Sequence, residues 1–174
     1  MRHISQDRLK KLAHHIDGLV DKDERMARES VRIQALRRDA FCQLHRICAD
    51  FAGSINSILK KTALELTPNP VSPGFFRDEG PNLIQIHVRG RLLQLEIEAP
   101  AELVSTENFR IPYILEGAAR AFNQDLLDRN AIEEQYVFAC LERDSTTWHF
   151  FDARTYHAGI VDESYLADLM ERVV

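Results

Sequence analysis

A chain of 174 residues with 45 % hydrophobic and 28 % charged residues has the composition of a globular protein with room for one sizeable core. Its apolar runs fall far short of the ~20 residues a membrane-spanning helix needs, and its first residues lack the roughly 7–15-residue apolar stretch of a secretory signal. Three cysteines at uneven spacing argue against a disulfide framework and for a reducing, cytoplasmic setting.

The net charge of −5 is unevenly spread. Residues 1–66 carry 13 Lys and Arg against 9 Asp and Glu, whereas residues 67–174 carry 9 against 18 and contain no lysine. Such asymmetry is read either as a basic segment for nucleic acid or as a helix that packs on the acidic part of its own chain or of a second copy. The acids interleaved through residues 1–66 favour the second reading.

The first proline is Pro68, and only Gly18 and Gly53 interrupt residues 1–67. Apolar residues recur at helical spacing: Ile4, Leu9, Leu12 and Ile16, then Ile33, Leu36, Ala40, Leu44, Ile47, Phe51, Ile55 and Ile58,. One unbroken helix over this length would run ~90 Å, longer than a domain of this size can cover. The sequence therefore predicts a short helix, a bend near Gly18, and a long helix from about Glu24 to Leu66. The alternatives are a helical hairpin or a coiled coil with a second copy. The seam from Ile33 to Ile58 is the expected interface of a homodimer.

Residues 67–74, TPNPVSPG, read as a linker,. Beyond it the period changes to two: Ile84, Ile86 and Val88, then Leu93, Leu95 and Ile97, alternate with polar residues. This is a hairpin with Gly90 at the first loop position of a II′ turn, and Gly74–Glu79 supplies an earlier strand. Pro112 opens a helical pattern through Leu115, Ala118, Ala119, Phe122 and Leu126 to Asn130. Strands over 134–142 and 146–154 follow, and Asp162 caps a last helix. The expectation is an α+β chain in the order α-βββ-α-ββ-α: a helical segment (1–66), the linker, and a compact domain (75–174) on a five-stranded, mainly antiparallel sheet. This element order is similar to that of small secretion-chaperone-like α+β domains, which dimerise and hold a partner segment; the similarity is one of topology, carried by no motif.

Two constellations hold chemistry-bearing residues. Cys42, His45 and Cys48 lie at three-residue steps on the long helix, on an arc of about 120°. Zinc wants four ligands, or three and a water, and no fourth is near; the apolar seam accounts better for Cys48, with His45 at its margin and Cys42 beyond. If RDST closes the second hairpin so that opposed positions sum to 289, Cys140 faces His149, a thiol–imidazole pair of the kind a cysteine nucleophile needs. Asp152 has the opposite parity and cannot orient that imidazole.

His14, His15 and His157 read as solvated. Glu96 and Glu98 share a wet strand face, where His87, Arg89 and Arg91 are expected to pair with them. Lys22, Arg25, Arg28, Arg32, Arg37 and Arg38 form the basic cluster a nucleic-acid reading would use, but they are nearly balanced by acids and lack stacking aromatics. The chain has no phosphate-cradling or nucleophile motif, and no cofactor is expected. The sequence thus points to a non-catalytic adaptor or chaperone-like dimer whose partner is another protein or a second copy. An enzyme using Cys140 and His149 and a helix-mediated nucleic-acid-binding accessory protein are the alternatives.

Overall fold

The computed structural model describes residues 5–174; Ile4, at the start of the apolar pattern, lies outside them. The chain opens with α1 (Gln6–Asn56), a single helix of 51 residues, ~77 Å long at 1.5 Å per residue. The expected bend at Gly18 does not occur. One glycine costs a helix about 1 kcal/mol relative to alanine, too little to break a run of good helix formers braced locally, as Arg28 is by Glu24 one turn earlier.

The helix also stops ten residues short of Leu66. Asn56 accepts from the Leu64 amide at 2.7 Å and donates to its carbonyl at 3.0 Å, closing a loop that turns the chain into β1 (Glu65–Thr67). A 3₁₀ turn (Pro73–Phe75) replaces the strand expected over Gly74–Glu79. Phe76 is buried there, its ring centroid 5.6 Å from that of Phe41.

The sheet that follows has seven strands, not five: β1, β2 (Asn82–Val88), β3 (Arg91–Glu98), β4 (Tyr113–Phe122), β5 (Glu134–Glu142), β6 (Ser145–Asp152) and β7 (His157–Ile160). They pair in chain order and all antiparallel. A short α2 (Gln124–Asp128) links β4 to β5, and α3 (Glu163–Glu171) ends the chain. The β2–β3 loop is Arg89-Gly90, both at positive φ, which is the type I′ geometry rather than the expected II′.

The largest departure is β4, which sequence reading assigned to a helix. Its alanines have high helix propensity, but here they face long residues across the strand pair: Ala119 lies opposite Leu95 and Ala121 opposite Leu93. Gly117 marks the same close approach, since a Cβ there would sit 2.0 Å from the Glu96 carbonyl oxygen. Small residues are what a central strand needs where a neighbour and a covering helix crowd it.

The C-terminal half of α1 and all of α3 cover one face of the sheet. Ile33, Phe41, Leu44, Cys48 and Phe51 pack with Leu93, Leu95, Ile97, Trp148 and Leu166 into the core. Three polar pins fix α1 there. The Trp148 indole donates to the Ala40 carbonyl at 2.8 Å. Arg37 donates to the carbonyls of Ile114 (2.9 Å), Glu102 (3.0 Å) and Leu103 (3.0 Å). His45 Nε2 donates to the Pro68 carbonyl at 2.5 Å. On the sheet's other face, Tyr113, Phe138 and Cys140 form a small satellite cluster capped by Phe109 and Phe151. Among the described residues no helix is long and apolar enough to cross a membrane.

Candidate functional site

The second hairpin closes one step away from its expected register. Its loop is Arg143-Asp144, with Arg143 at φ 57°, and Glu142 pairs with Ser145. Cys140 therefore lies opposite Thr147, and His149 opposite Phe138. The thiol and the imidazole still share the open face of the sheet, but as diagonal neighbours, roughly 7–8 Å apart at the backbone.

The carboxylate beside the ring is Glu142, with Oε1 3.9 Å from His149 Nε2; Asp152 points into the other face, where it is buried. Nε2 itself makes no hydrogen bond. Cys140 is only 1 % exposed. Burial, and then the charge of Glu142, push its thiol up to about 11. At neutral pH this sulfur is a protonated core atom, the reverse of an activated nucleophile.

Cys42, His45 and Cys48 separate as the helix packs. Cys48 is fully buried in the core, and burial raises its thiol to about 12. His45 is spent on Pro68. Cys42 is half-buried on the wall of a groove of about 830 Å³ between α1, the 69–73 segment and the β5–β6 hairpin. Among the described residues no group of three or more His, Cys, Asp or Glu side chains is placed to hold a metal ion.

Glu96 finds a different partner from the expected one. Glu96 is bridged by Arg120 of β4 (3.2 Å), which also holds Glu134 of β5 at 2.6 Å, across a shallow groove of about 290 Å³ floored by Tyr136 and Phe138. Arg91 turns instead to the Arg89 and Val173 carbonyls. Four of the six residues of the basic cluster are engaged by the chain itself, while Lys22 and Arg25 are exposed on the projecting part of α1. Arg37 is buried, and burial lowers its pKa from the ordinary value. Arg38 pairs with Asp78, Arg32 with Glu29 and Asp144, and Arg28 with Glu24.

The seam expected to form an interface is covered by the chain itself. Ile33, Ala40, Leu44 and Phe51 are buried against the sheet, Leu36, Ile47 and Ile55 pack at its margin, and Ile58 is 75 % exposed beyond the helix end. The uncovered apolar surface lies earlier, on the part of α1 that projects past the domain. Every residue from Ser5 to Glu29 is exposed, and Leu9, Leu12, Ile16, Leu19, Val20 and Met26 are each about half exposed.

These six follow the same spacing as the packed seam. Written as heptads with Leu9 at a, the a and d positions hold Leu9, Leu12, Ile16, Leu19, Asp23, Met26 and Ser30, and the register runs on to Ile33 at d,. Leu19, Val20 and Met26 were legible as part of a longer repeat, but a bend at Gly18 would have broken it. Comparison with family models, with curated proteins and with solved structures gives no match for this chain.

Proposed function

We propose that this chain is a non-catalytic, chaperone-like protein-binding module that works as a homodimer, in the reducing cytoplasmic setting its three unpaired thiols suit. The observation that carries the reading is the arm: a helix projecting from the domain with six large apolar side chains in one stripe. A lone helix gains most of its stability from packing such a stripe, and an apolar surface of this extent on a folded protein marks an interaction site. The enzyme alternative is disfavoured by the buried, unactivated Cys140 thiol. The nucleic-acid alternative is disfavoured because Arg37 is buried, Arg28, Arg32 and Arg38 are paired with acids, and the rest of the cluster lies among the acids of the arm.

Sedimentation of the intact protein tests the reading. The expected species has twice the 20.0 kDa chain mass. Leu12→Asp combined with Ile16→Asp returns it to the chain mass while the Trp148 environment, read by near-ultraviolet circular dichroism, stays native. A wild-type protein that remains monomeric across micromolar concentrations overturns it.

A further inference from the structure

We propose that the two arms pair antiparallel over residues 5–30, about a twofold axis between Asp17 and Gly18, so that the two sheets stand at opposite ends of the dimer. This rests on the dimer reading above and adds its geometry.

Charge supplies the first argument. Between Ser5 and Ile16 the arm carries Arg8, Lys10 and Lys11 against Asp7. Between Asp17 and Ser30 it carries Asp17, Asp21, Asp23, Glu24 and Glu29 against Lys22, Arg25 and Arg28. One half is thus net positive and the other net negative, by two charges each. Antiparallel arms set each half against its opposite, whereas parallel arms stack like on like.

Asp23 supplies the second. It occupies an a position, and in a parallel, in-register pair the two Asp23 carboxylates would meet within the apolar seam, where like charges repel and lose water together. In the antiparallel register opposed residues sum to 35: Leu9 meets the second copy's Met26, Ile16 meets its Leu19, and Asp23 meets Leu12. Each carboxylate then meets a leucine rather than a second carboxylate, about midway between the axis and the end of the paired arms, so the repulsion between like charges is removed.

The flanking positions supply the third. The e positions are Gln6, Ala13, Val20 and Ala27, and the g positions are Arg8, His15, Lys22 and Glu29. Antiparallel helices bring e to e and g to g, so Ala13 and Val20 widen the apolar seam on one side, while Arg8 faces the second copy's Glu29 on the other. Parallel helices would set the same small apolar residues against Arg8, His15 and Lys22.

The test is a pair of spin-label distances in the full-length protein. The background is Cys42→Ser, since Cys48 and Cys140 are buried. A nitroxide at position 28 (Arg28→Cys) is expected to give an interlabel distance of about 35 Å, since 21 residues of rise separate the two sites. One at position 17 (Asp17→Cys) is expected under about 20 Å, close to the axis, with the helices about 10 Å apart. Short distances at both positions mean a parallel dimer and overturn this geometry alone, as do long distances at both, which place the interface elsewhere. A monomer by sedimentation overturns the dimer and the geometry together.

Discussion

The two halves of α1 share one helix and one apolar spacing, yet one is core and the other is bare. From Ile33 to Phe51 the stripe lies under the sheet, and Ile33, Leu44 and Cys48 have no exposed surface; from Leu9 to Met26 the corresponding residues are about half exposed. What separates them is reach. The sheet ends before the helix does: every residue of α1 that is buried against it lies at or after Ile33, although the helix begins at Gln6. Periodicity announces that a stripe needs cover; the dimensions of the neighbouring element decide how much of it receives any.

Substitutions matched between the halves test that contrast. The largest difference is expected from Leu44→Ala against Leu12→Ala. Leu44 is fully buried, so its loss costs about 2–5 kcal/mol of domain stability, whereas Leu12 in the monomeric state costs under about 0.5 kcal/mol. Urea unfolding followed by Trp148 fluorescence measures both, and equal losses would refute the division of α1 into packed and bare halves.

Next in size is Arg37→Met against Arg28→Met. The first strips three buried or half-buried carbonyls of their donor, for about 2–3 kcal/mol. The second breaks an exposed pair with side chains 69 % and 62 % accessible, for a few tenths of a kcal/mol at most, as is usual at about 0–1 kcal/mol for such pairs. The same unfolding curves report the difference, which vanishes if Arg37 is not pinning the helix.

The smallest effect is a pH dependence confined to the packed domain. Asp152 is 3 % exposed. Burial alone would raise its pKa, but the Arg154 amide (2.9 Å), the Arg154 guanidinium (3.3 Å) and Gln135 (3.1 Å) hold it below the ordinary carboxylate value. With the folded value below the unfolded one, the stability it contributes is present above about pH 4 and is lost as pH falls through the folded pKa. Asp152→Asn is expected to flatten the acid limb of the urea midpoint below pH ~4; an unchanged limb would show that other carboxylates set it.

Much of the architecture was legible in residues alone. The long helix, the β2–β3 hairpin with its alternating Ile and Leu residues, and the Asp162 cap, whose side chain accepts from the Tyr165 amide at 2.9 Å, follow from local chemistry. Three of the seven strands were not. β1 and β7 are three and four residues long, too short for a period to register. β4 reads as a helix because Ala and Leu at helical spacing outweigh its one glycine, and only the crowding of β3 against Gly117 reverses that preference. The candidate thiol–imidazole pair depended on a two-residue loop whose position no local signal distinguishes, and a shift by one residue in the loop moved Cys140 from His149 to Thr147.

The sequence by itself determined that the chain would open with a long amphipathic helix, though not that it would run unbroken through Gly18, that its stripe would include Cys48 and exclude Cys42, and that the chain would alternate into an antiparallel sheet, because each rests on spacing within a few residues. Only the tertiary structure decided where that stripe stops being core. The boundary near Ile33 depends on the extent of a sheet assembled from strands of which several lie more than a hundred residues further along, and no local pattern on the helix encodes that distance.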